Sequence, residues 1–354
     1  MQIALDLAKK GMHTAKPNPR VGCIVVSENK IVGQGWHRQT GEAHAEAIAL
    51  SEAGDKAKDS TVYSTLEPCT HHGQTPPCVE ALIAAAVGKV VYAMEDPNPV
   101  VSGQSRKILE SAEIEVISGV LSQESKDLNI GFNKRMKYGL PYIRTKIAAS
   151  IDGKTALLNG KSQWISSKQS RDDVQLWRAR SCALVTSIDT VIADDPSLNV
   201  RINDFSDIDQ PTRVILDSQL RIRGDYKILK SPGDVIVYSL QQVHNDPIFE
   251  GMIENTNERD GHVSLESVFR DLAKKEINEV MFECGGTLNG ALLKQNLIDE
   301  IIIYLAPCIL GDQANNMFSL PAISAMSERY NFNLIQVDRT GDDIRVILRK
   351  ANPV

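Results

Sequence analysis

Two short segments of this chain carry residues able to bind a metal and put it to use. One is His44-Ala45-Glu46, within TGEAHAEAIAL. The other is Pro68-Cys69, followed by Cys78, within LEPCTHHGQTPPC. Zinc prefers tetrahedral nitrogen and sulfur ligands, and a catalytic site keeps its fourth position for water. His44, Cys69 and Cys78 supply three such ligands. Glu46, two residues from the histidine, is placed to act as general base. A structural zinc site has no use for an acid beside its ligands, so Glu46 favours catalysis.

The arrangement follows the H-x-E…P-C-x-x-C signature of zinc deaminases, in which the Glu stays outside the metal shell. It departs from that signature in one respect. Eight residues separate Cys69 from Cys78, where the common form has two. That argues against an ordinary cytidine deaminase. The other readings are unrelated buried thiols, or a closed structural knot with His71 or His72 as fourth ligand.

A second feature lies in EVMFECGGTLNGALLKQ, which reads as strand, Gly285-Gly286, then helix from about Thr287. The apolar strand is expected to deliver the chain to a sheet edge. Two glycines let backbone N–H groups approach a phosphate, and the helix dipole favours the anion. A plain tight turn explains the same residues equally well. The G-x-G-x-x-G fingerprint is absent, so a standard Rossmann domain is not indicated. Lys146 stands in an otherwise apolar strand and reads as an inward-facing functional lysine. Arg178 and Arg201 have the chemistry to neutralise a phosphate, although each alone also reads as a surface arginine. By themselves, Asp194-Asp195 before Pro196 reads as a loop, Trp164 as core and His71 as a loop histidine.

These residues must be positioned by an α/β framework. VGCIVVS and KIVGQGWH flank Glu28-Asn29 and predict a hairpin. The run 42–54 predicts a helix with His44 and Glu46 in its first turn. TVYST, KVVYAME and EIEVISG predict strands. PPCVEALIAAAVG predicts a helix stopped by Gly88. The metal ligands would then sit at two helix N-termini. A helix over 122–138 should end at Gly139, and Pro141 follows as a domain boundary. Beyond it, YIRTKIAAS, CALVTS, TRVILD, DVIVYS, EVMFE and DEIIIYLAP read as strands, with helices within 161–180, 265–275 and 287–296. Strands alternating with helices imply crossover connections.

The 354 residues suggest two domains, 1–140 and 141–354. A hydrophobic content of 42% with 24% charged residues is that of a globular protein. Net charge is −6, and no long basic run exists, which weakens a nucleic-acid reading. No stretch is apolar enough to span a membrane, and the N-terminal segment lacks a signal-peptide core. The expectation is a cytoplasmic enzyme. Six cysteines in a chain of this length point to metal binding rather than disulfides. Cys23, Cys182, Cys284 and Cys308 are expected to be ordinary small buried residues.

The chain as a whole resembles the bifunctional bacterial riboflavin-biosynthesis family, a fused diaminohydroxyphosphoribosylaminopyrimidine deaminase and 5-amino-6-(5-phosphoribosylamino)uracil reductase. The resemblance rests on KPNPRVGCIVV, GWH, GEAHAEAIAL, TLEPCTHHGQTPPC and DPNP in the first half. In the second it rests on KIAASIDGKTA, SQWISS, TVIADDPSL, RVILDS, GGTLNGALL and APCILG. The long gap between Cys69 and Cys78 is itself that family's pattern. The resemblance implies a cytidine-deaminase-like α/β/α domain followed by a dihydrofolate-reductase-like α/β domain. It implies Zn2+ on His44, Cys69 and Cys78, with Glu46 shuttling the proton. It implies a phosphoribosyl-pyrimidine substrate lined by Asn18, His37, His71 and Asn98.

In the second domain the resemblance implies NADPH contacts at Ala148, Trp164, Thr190, Asp194, Ser218 and the turn Gly285, Gly286, Thr287, Leu288, Asn289, Gly290 and Ala291. Substrate contacts are implied at Lys146, Ser162, Arg178, Leu198, Arg201 and Glu283. A homo-oligomer, dimer or tetramer, is implied as well. Three departures stand out: Cys284 where the family more often has Gly or Ala, Arg20 at a variable position, and an N-terminus a few residues short. Two other functions compete. A nucleic-acid deaminase would want a basic strand-binding surface. A zinc-stabilised binding module would keep its fold without releasing ammonia.

Overall fold

The computed structural model describes residues 1–72, 76–98, 102–202, 208–241 and 249–351. It divides into two compact units, Met1–Leu140 and Pro141–Val354. Both are α/β, as the sequence predicts.

The first unit opens with α1 (Gln2–Lys9) and the hairpin β1 (Gly22–Ser27) and β2 (Lys30–Trp36). Glu28 and Asn29 turn it, with φ of 49° and 62°. Two left-handed residues match the twist of the flanking strands. Then follow α2 (Ala45–Ala53), β3 (Thr61–Ser64), α3 (Cys78–Ala84) and β4 (Lys89–Tyr92). The unit ends with α4 (Gln104–Ser111), β5 (Glu115–Ser118), α5 (Ser122–Leu128) and α6 (Ile130–Tyr138). The sheet order is β2-β1-β3-β4-β5. Leu50 of α2, Leu82 of α3 and Leu109 of α4 share a buried cluster with Val25, Val62 and Val90 of the sheet. Leu5 and Ala8 of α1 pack with Leu128 of α5 in another. The result is an α/β/α sandwich. Gly33 and Gly35 let α2 lie close on β2, since a Cβ there would come within 2.0 and 2.4 Å of the Ala49 and Ala45 carbonyl oxygens.

Three local expectations are corrected. His44 is the N-cap of α2, with an extended φ of −70° and ψ of 158°, not part of its first turn. The helix expected to run to Gly88 ends at Ala84, and Ala86 turns the chain at φ 51°. The N–H groups of Gly88 and Lys89 both reach Ser60 O, so the chain has already turned to join β4. The helix expected over 122–138 breaks at Asn129. Its Oδ1 accepts from Arg20 N–H at 2.8 Å and its Nδ2 donates to Arg20 O at 3.0 Å. That reciprocal pair diverts Asn129 from helical geometry.

The second unit begins with β6 (Tyr142–Ser150), β7 (Lys154–Ala156), α7 (Lys168–Arg180), β8 (Ala183–Ser187) and α8 (Ile188–Asp194). Next come β9 (Thr212–Leu216), α9 (Lys227–Lys230), β10 (Val235–Ser239), β11 (Ile253–Asn255), β12 (Glu258–Arg259) and β13 (His262–Val263). The remainder is α10 (Leu265–Lys274), β14 (Glu279–Phe282), α11 (Gly286–Lys294), β15 (Glu300–Ala306), β16 (Asn315–Asn316), β17 (Phe332–Thr340) and β18 (Asp343–Lys350). A nine-stranded sheet runs β11-β10-β9-β8-β14-β6-β15-β18-β17. It is parallel from β11 to β15, and β18 and β17 add an antiparallel edge.

β14 therefore lies mid-sheet, not at an edge as expected. All four of its residues are buried. A strand covered on both faces is mostly apolar, and the one charged residue of β14, Glu279, is paired with Arg144 at 3.0 Å and Arg180 at 3.0 Å. Its C-terminal end, beside that of β8, is where the strand order reverses. In open parallel sheets ligands bind in such a crevice.

Candidate functional site

Three side chains in the first unit converge as the sequence predicts. The ligand atoms of His44, Cys69 and Cys78 lie within 4.8 Å of one another. His44 Nδ1 is 3.2 Å from Cys78 Sγ and 3.5 Å from Cys69 Sγ. A nitrogen and a sulfur on one tetrahedral zinc stand roughly 3.6 Å apart. Donor types and spacing thus fit the ion. The Cys78 N–H, at the N-terminus of α3, donates to Cys69 Sγ at 3.2 Å. Hydrogen bonding with Cys78 and His44 holds the Cys69 thiol down at about 4, while Cys78 beside it is pushed up.

Glu46 lies outside the trio and is 3% exposed. The Ser64 hydroxyl donates to its Oε1 at 2.9 Å, and Oε2 lies 3.5 Å from Cys78 Sγ. Burial raises the Glu46 pKa. A carboxylate so placed is a stronger base than one in water. His71 and His72 are exposed and stand apart from the trio. The closed knot therefore has no fourth ligand among the described residues.

Asn18 and His37 flank the trio. Asn18 Nδ2 lies 3.1 Å from His37 Nε2, and His37 Nδ1 lies 3.3 Å from Ala43 O. One neutral tautomer satisfies both contacts, with Nδ1–H donating and Nε2 accepting. Burial lowers the His37 pKa, which favours that neutral form. The His37 ring meets His44 edge-on at 5.7 Å. Asn98 is half-buried, and its N–H donates to Asp96 Oδ1 at 2.8 Å. Burial pushes the Asp96 carboxyl up to about 6. Asp96 was not singled out from the sequence, although it opens the quoted DPNP.

The second unit holds a cleft of about 1180 Å3. Lys146, Ala148, Ser162, Trp164, Arg178, Thr190, Asp194, Leu198, Arg201 and Glu283 all line it, as do Gly285, Gly286, Thr287 and Leu288. Glu283 follows β14 and receives Arg178 Nε at 2.6 Å, Arg178 NH2 at 3.0 Å and Lys146 Nζ at 3.5 Å. Burial would raise its pKa, but the two cations outweigh that and hold it at about 2. Arg178 NH1 also donates to Asn199 O at 3.1 Å, so much of its donor set is used within the protein. Arg201 is exposed, and its NH1 donates to Asn199 Oδ1 at 2.6 Å. Desolvation and the nearby Arg178 charge lower its pKa. Two guanidiniums opposing each other invite an anion. Leu198 holds a left-handed φ of 42°, a conformation that costs a branched residue energy and recurs at functional sites.

Trp164 is not core, being 70% exposed at the cleft. Arg171, which the sequence did not flag, sits 4.5 Å above its ring. Nothing in the spacing of Trp164 and Arg171 signals that stack, because a loop turns between them. The Asp194-Asp195 pair is not plain loop either. Asp194 ends α8 and Asp195 caps it at φ 42°.

Four expected cofactor residues do not line the cleft: Ser218, Asn289, Gly290 and Ala291. The Ser218 hydroxyl accepts from Val263 N–H at 3.0 Å. Asn289 is fully buried, and its Oδ1 accepts from the Thr145 hydroxyl at 2.6 Å. Gly290 is needed for packing, since a Cβ there would meet Ser319 O at 2.1 Å. Ala291 lies deeper along α11. Gly286 is similarly constrained, with Asn316 O at 2.2 Å from a built Cβ, whereas a Cβ on Gly285 meets nothing within 4 Å. Both line the cleft, but of the two only Gly285 has room for a Cβ. Cys23 and Cys182 are buried, while Cys284 and Cys308 are half-buried. Cys284 lines the cleft, and desolvation together with the nearby Glu283 raises its thiol pKa, which disfavours the thiolate.

Comparison with known proteins adds an independent set of findings. The family model described as the RibD C-terminal domain matches residues 141–346. That of the cytidine and deoxycytidylate deaminase zinc-binding region matches residues 1–94. The riboflavin biosynthesis protein RibD of Escherichia coli K12 is 43% identical over 97% of this chain and 96% of its own. That of Aquifex aeolicus is 36% identical over 99% and 97%. Among solved structures, Acinetobacter baumannii RibD (form 1) superposes with a TM-score of 0.93 at 42% identity, covering 99% and 98% of the two chains. The diaminohydroxyphosphoribosylaminopyrimidine deaminase/5-amino-6-(5-phosphoribosylamino)uracil reductase of Thermotoga maritima gives 0.89 at 32% identity, covering 99% and 97%.

Proposed function

This chain belongs to the family of riboflavin biosynthesis protein RibD, and from that premise we propose which of its residues do the family's work. The enzyme is bifunctional, a zinc-dependent deaminase and a reductase of riboflavin biosynthesis. We assign hydrolytic deamination of 2,5-diamino-6-(5-phosphoribosylamino)pyrimidin-4(3H)-one to residues 1–140. NADPH-dependent reduction of the ribosyl chain to ribityl is assigned to residues 141–354. The product is 5-amino-6-(5-phospho-D-ribitylamino)uracil. The single observation that carries this reading is the trio His44, Cys69 and Cys78 with the buried Glu46 beside it.

His44, Cys69 and Cys78 would hold the zinc, which when bound supplies the Lewis acid that activates water. Ser64 fixes Oε1 of Glu46 and leaves Oε2 facing the trio. From there Glu46 carries one proton of the attacking water to the ring nitrogen, then takes the remaining hydroxyl proton of the tetrahedral adduct and delivers it to the departing ammonia. Asn18, His37, His71 and Asn98 would line the pyrimidine and ribose phosphate.

In the cleft, the nicotinamide when bound supplies the hydride. The first turn of α11, whose N–H groups lack acceptors within the helix, would receive the pyrophosphate. Arg178 and Arg201 would neutralise the substrate phosphate. Lys146, held against Glu283, would present its cation to the reacting end of the ribose. The test is incubation with the diaminopyrimidine substrate, with and without NADPH, reading products by mass. A deaminated product without NADPH and a ribityl product only with it are expected. Unchanged substrate under both conditions would overturn the reading.

The glycine turn is tested separately at Gly285. Gly285→Val adds bulk where the protein itself leaves room, so folding should be unaffected. The apparent KM for NADPH should rise about tenfold or more, the effect of losing ~1.4 kcal/mol of binding, with deamination unchanged. A normal KM in the folded variant would remove the pyrophosphate from this turn. Gly286→Val would not serve, because it collides with Asn316 O.

We also propose a homo-oligomer, dimer or tetramer, acting in the cytoplasm on a small molecule rather than on nucleic acid or membrane. β17 supports the first part. It is an edge strand on which Leu334, Ile335 and Val337 are 62%, 46% and 53% exposed. Unpaired apolar edges are places where chains associate. Light scattering should give the mass of two or four chains, and Leu334→Lys with Val337→Lys should reduce it to one. A wild-type monomer would sink this assignment. No helix among the described residues is long and apolar enough to cross a membrane.

A further inference from the structure

Glu67 lies two residues before Cys69 and is only 2% exposed. A buried carboxylate is costly unless its oxygens are hydrogen-bonded. Four donors converge on this one. The Asp96 and Gly103 N–H groups each reach Oε2 at 3.1 Å. The Ser105 N–H reaches Oε1 at 3.2 Å and its hydroxyl at 2.7 Å. None of the four belongs to the metal loop. Gly103 is the N-cap of α4 and Ser105 its second residue, where the helix dipole favours an anion. The backbone joins in, with Glu67 N–H donating to Met94 O at 2.9 Å.

Asp96 in turn fixes Asn98. Its Oδ1 accepts the Asn98 N–H at 2.8 Å, and Asn98 O accepts the Ser102 N–H at 3.0 Å. One side chain on the cysteine loop thus holds the residues on both sides of Asn98. We infer that Glu67 is a positioning residue for deamination, setting Asn98 at a fixed distance from the metal ligands while touching neither metal nor substrate. The inference rests on the deaminase reading and deepens it. A carboxylate suits the role because both oxygens accept, whereas an amide of the same shape would turn an NH2 group towards two of the donors.

The test uses the full chain carrying Glu67→Gln or Ser105→Ala. Ammonia release, zinc content and reduction of supplied deaminated substrate are read on each. KM for the diaminopyrimidine should rise about tenfold or more in Glu67→Gln and by a smaller factor in Ser105→Ala, since misplacements near 1 Å cost up to about 100-fold. The change in kcat should be smaller, zinc should stay near one per chain, and reduction should be unaffected. An unchanged KM in folded Glu67→Gln would overturn the inference. So would zinc loss with falling kcat at constant KM, which would mean that Glu67 supports the metal loop alone. Should Glu67→Gln fail to fold, Ser105→Ala decides by the same criteria. Absence of ammonia release from the wild type would instead overturn the deaminase reading.

Discussion

Glu46→Gln is expected to lower ammonia release by roughly two or more orders of magnitude, in line with general acid–base contributions. Zinc should remain near one per chain. The substitution keeps volume and a partner for the Ser64 hydroxyl but removes the carboxylate that faces the trio and can shuttle a proton between water and leaving group. The fold should not suffer, because a desolvated carboxyl is replaced by a neutral amide of the same shape. Metal analysis beside steady-state ammonia assays separates the outcomes. Zinc lost together with activity would make Glu46 a ligand or a fold element, contrary to its place outside the trio.

Cys69→Ser should abolish deamination outright and leave reduction of supplied deaminated substrate intact. A hydroxyl is a poor zinc ligand beside a thiolate, and the variant would retain only His44 and Cys78. It also loses the sulfur that accepts the Cys78 N–H at the start of α3. The reductase cleft is lined by residues of the second unit, which has its own sheet. Reduction therefore has no physical reason to depend on the first unit's metal. Loss of both activities would mean that zinc supports the whole fold or that the two chemistries are coupled.

The metal site was legible because side-chain type declares its chemistry: His44, Glu46, Cys69 and Cys78 bring a recognisable donor set on two helix starts. The α/β class was legible from strand and helix periodicity. Other features were not, for identifiable reasons. β17 mixes polar and apolar residues over an exposed edge, so no period announces it. Asn129 carries no mark of the Arg20 backbone it binds. Gly285 and Gly286 are the same residue type, yet one faces open space and the other a carbonyl, and only tertiary packing separates them. Ser218 and Asn289–Ala291 were placed by resemblance, whereas in this structure Ser218 and Asn289 make hydrogen bonds elsewhere in the protein and Gly290 packs against Ser319. Glu67 reads as one more loop acid, because the groups that give it meaning lie thirty to forty residues downstream.

The packing around α11 bears on how an inhibitor of the reductase would have to be shaped. Gly286 and Gly290 receive the backbone of residues 316 and 319, and the Ser319 N–H donates to Gly286 O at 2.9 Å. Asn289 locks the same turn to β6 through Thr145. The floor of the cleft is therefore keyed from two sides and has little room to adapt. A compound seated on this turn must match the surface already present, carrying an acceptor group for the helix N–H donors. It should draw its selectivity from Trp164, which also lines the cleft, is 70% exposed and carries Arg171 over its ring.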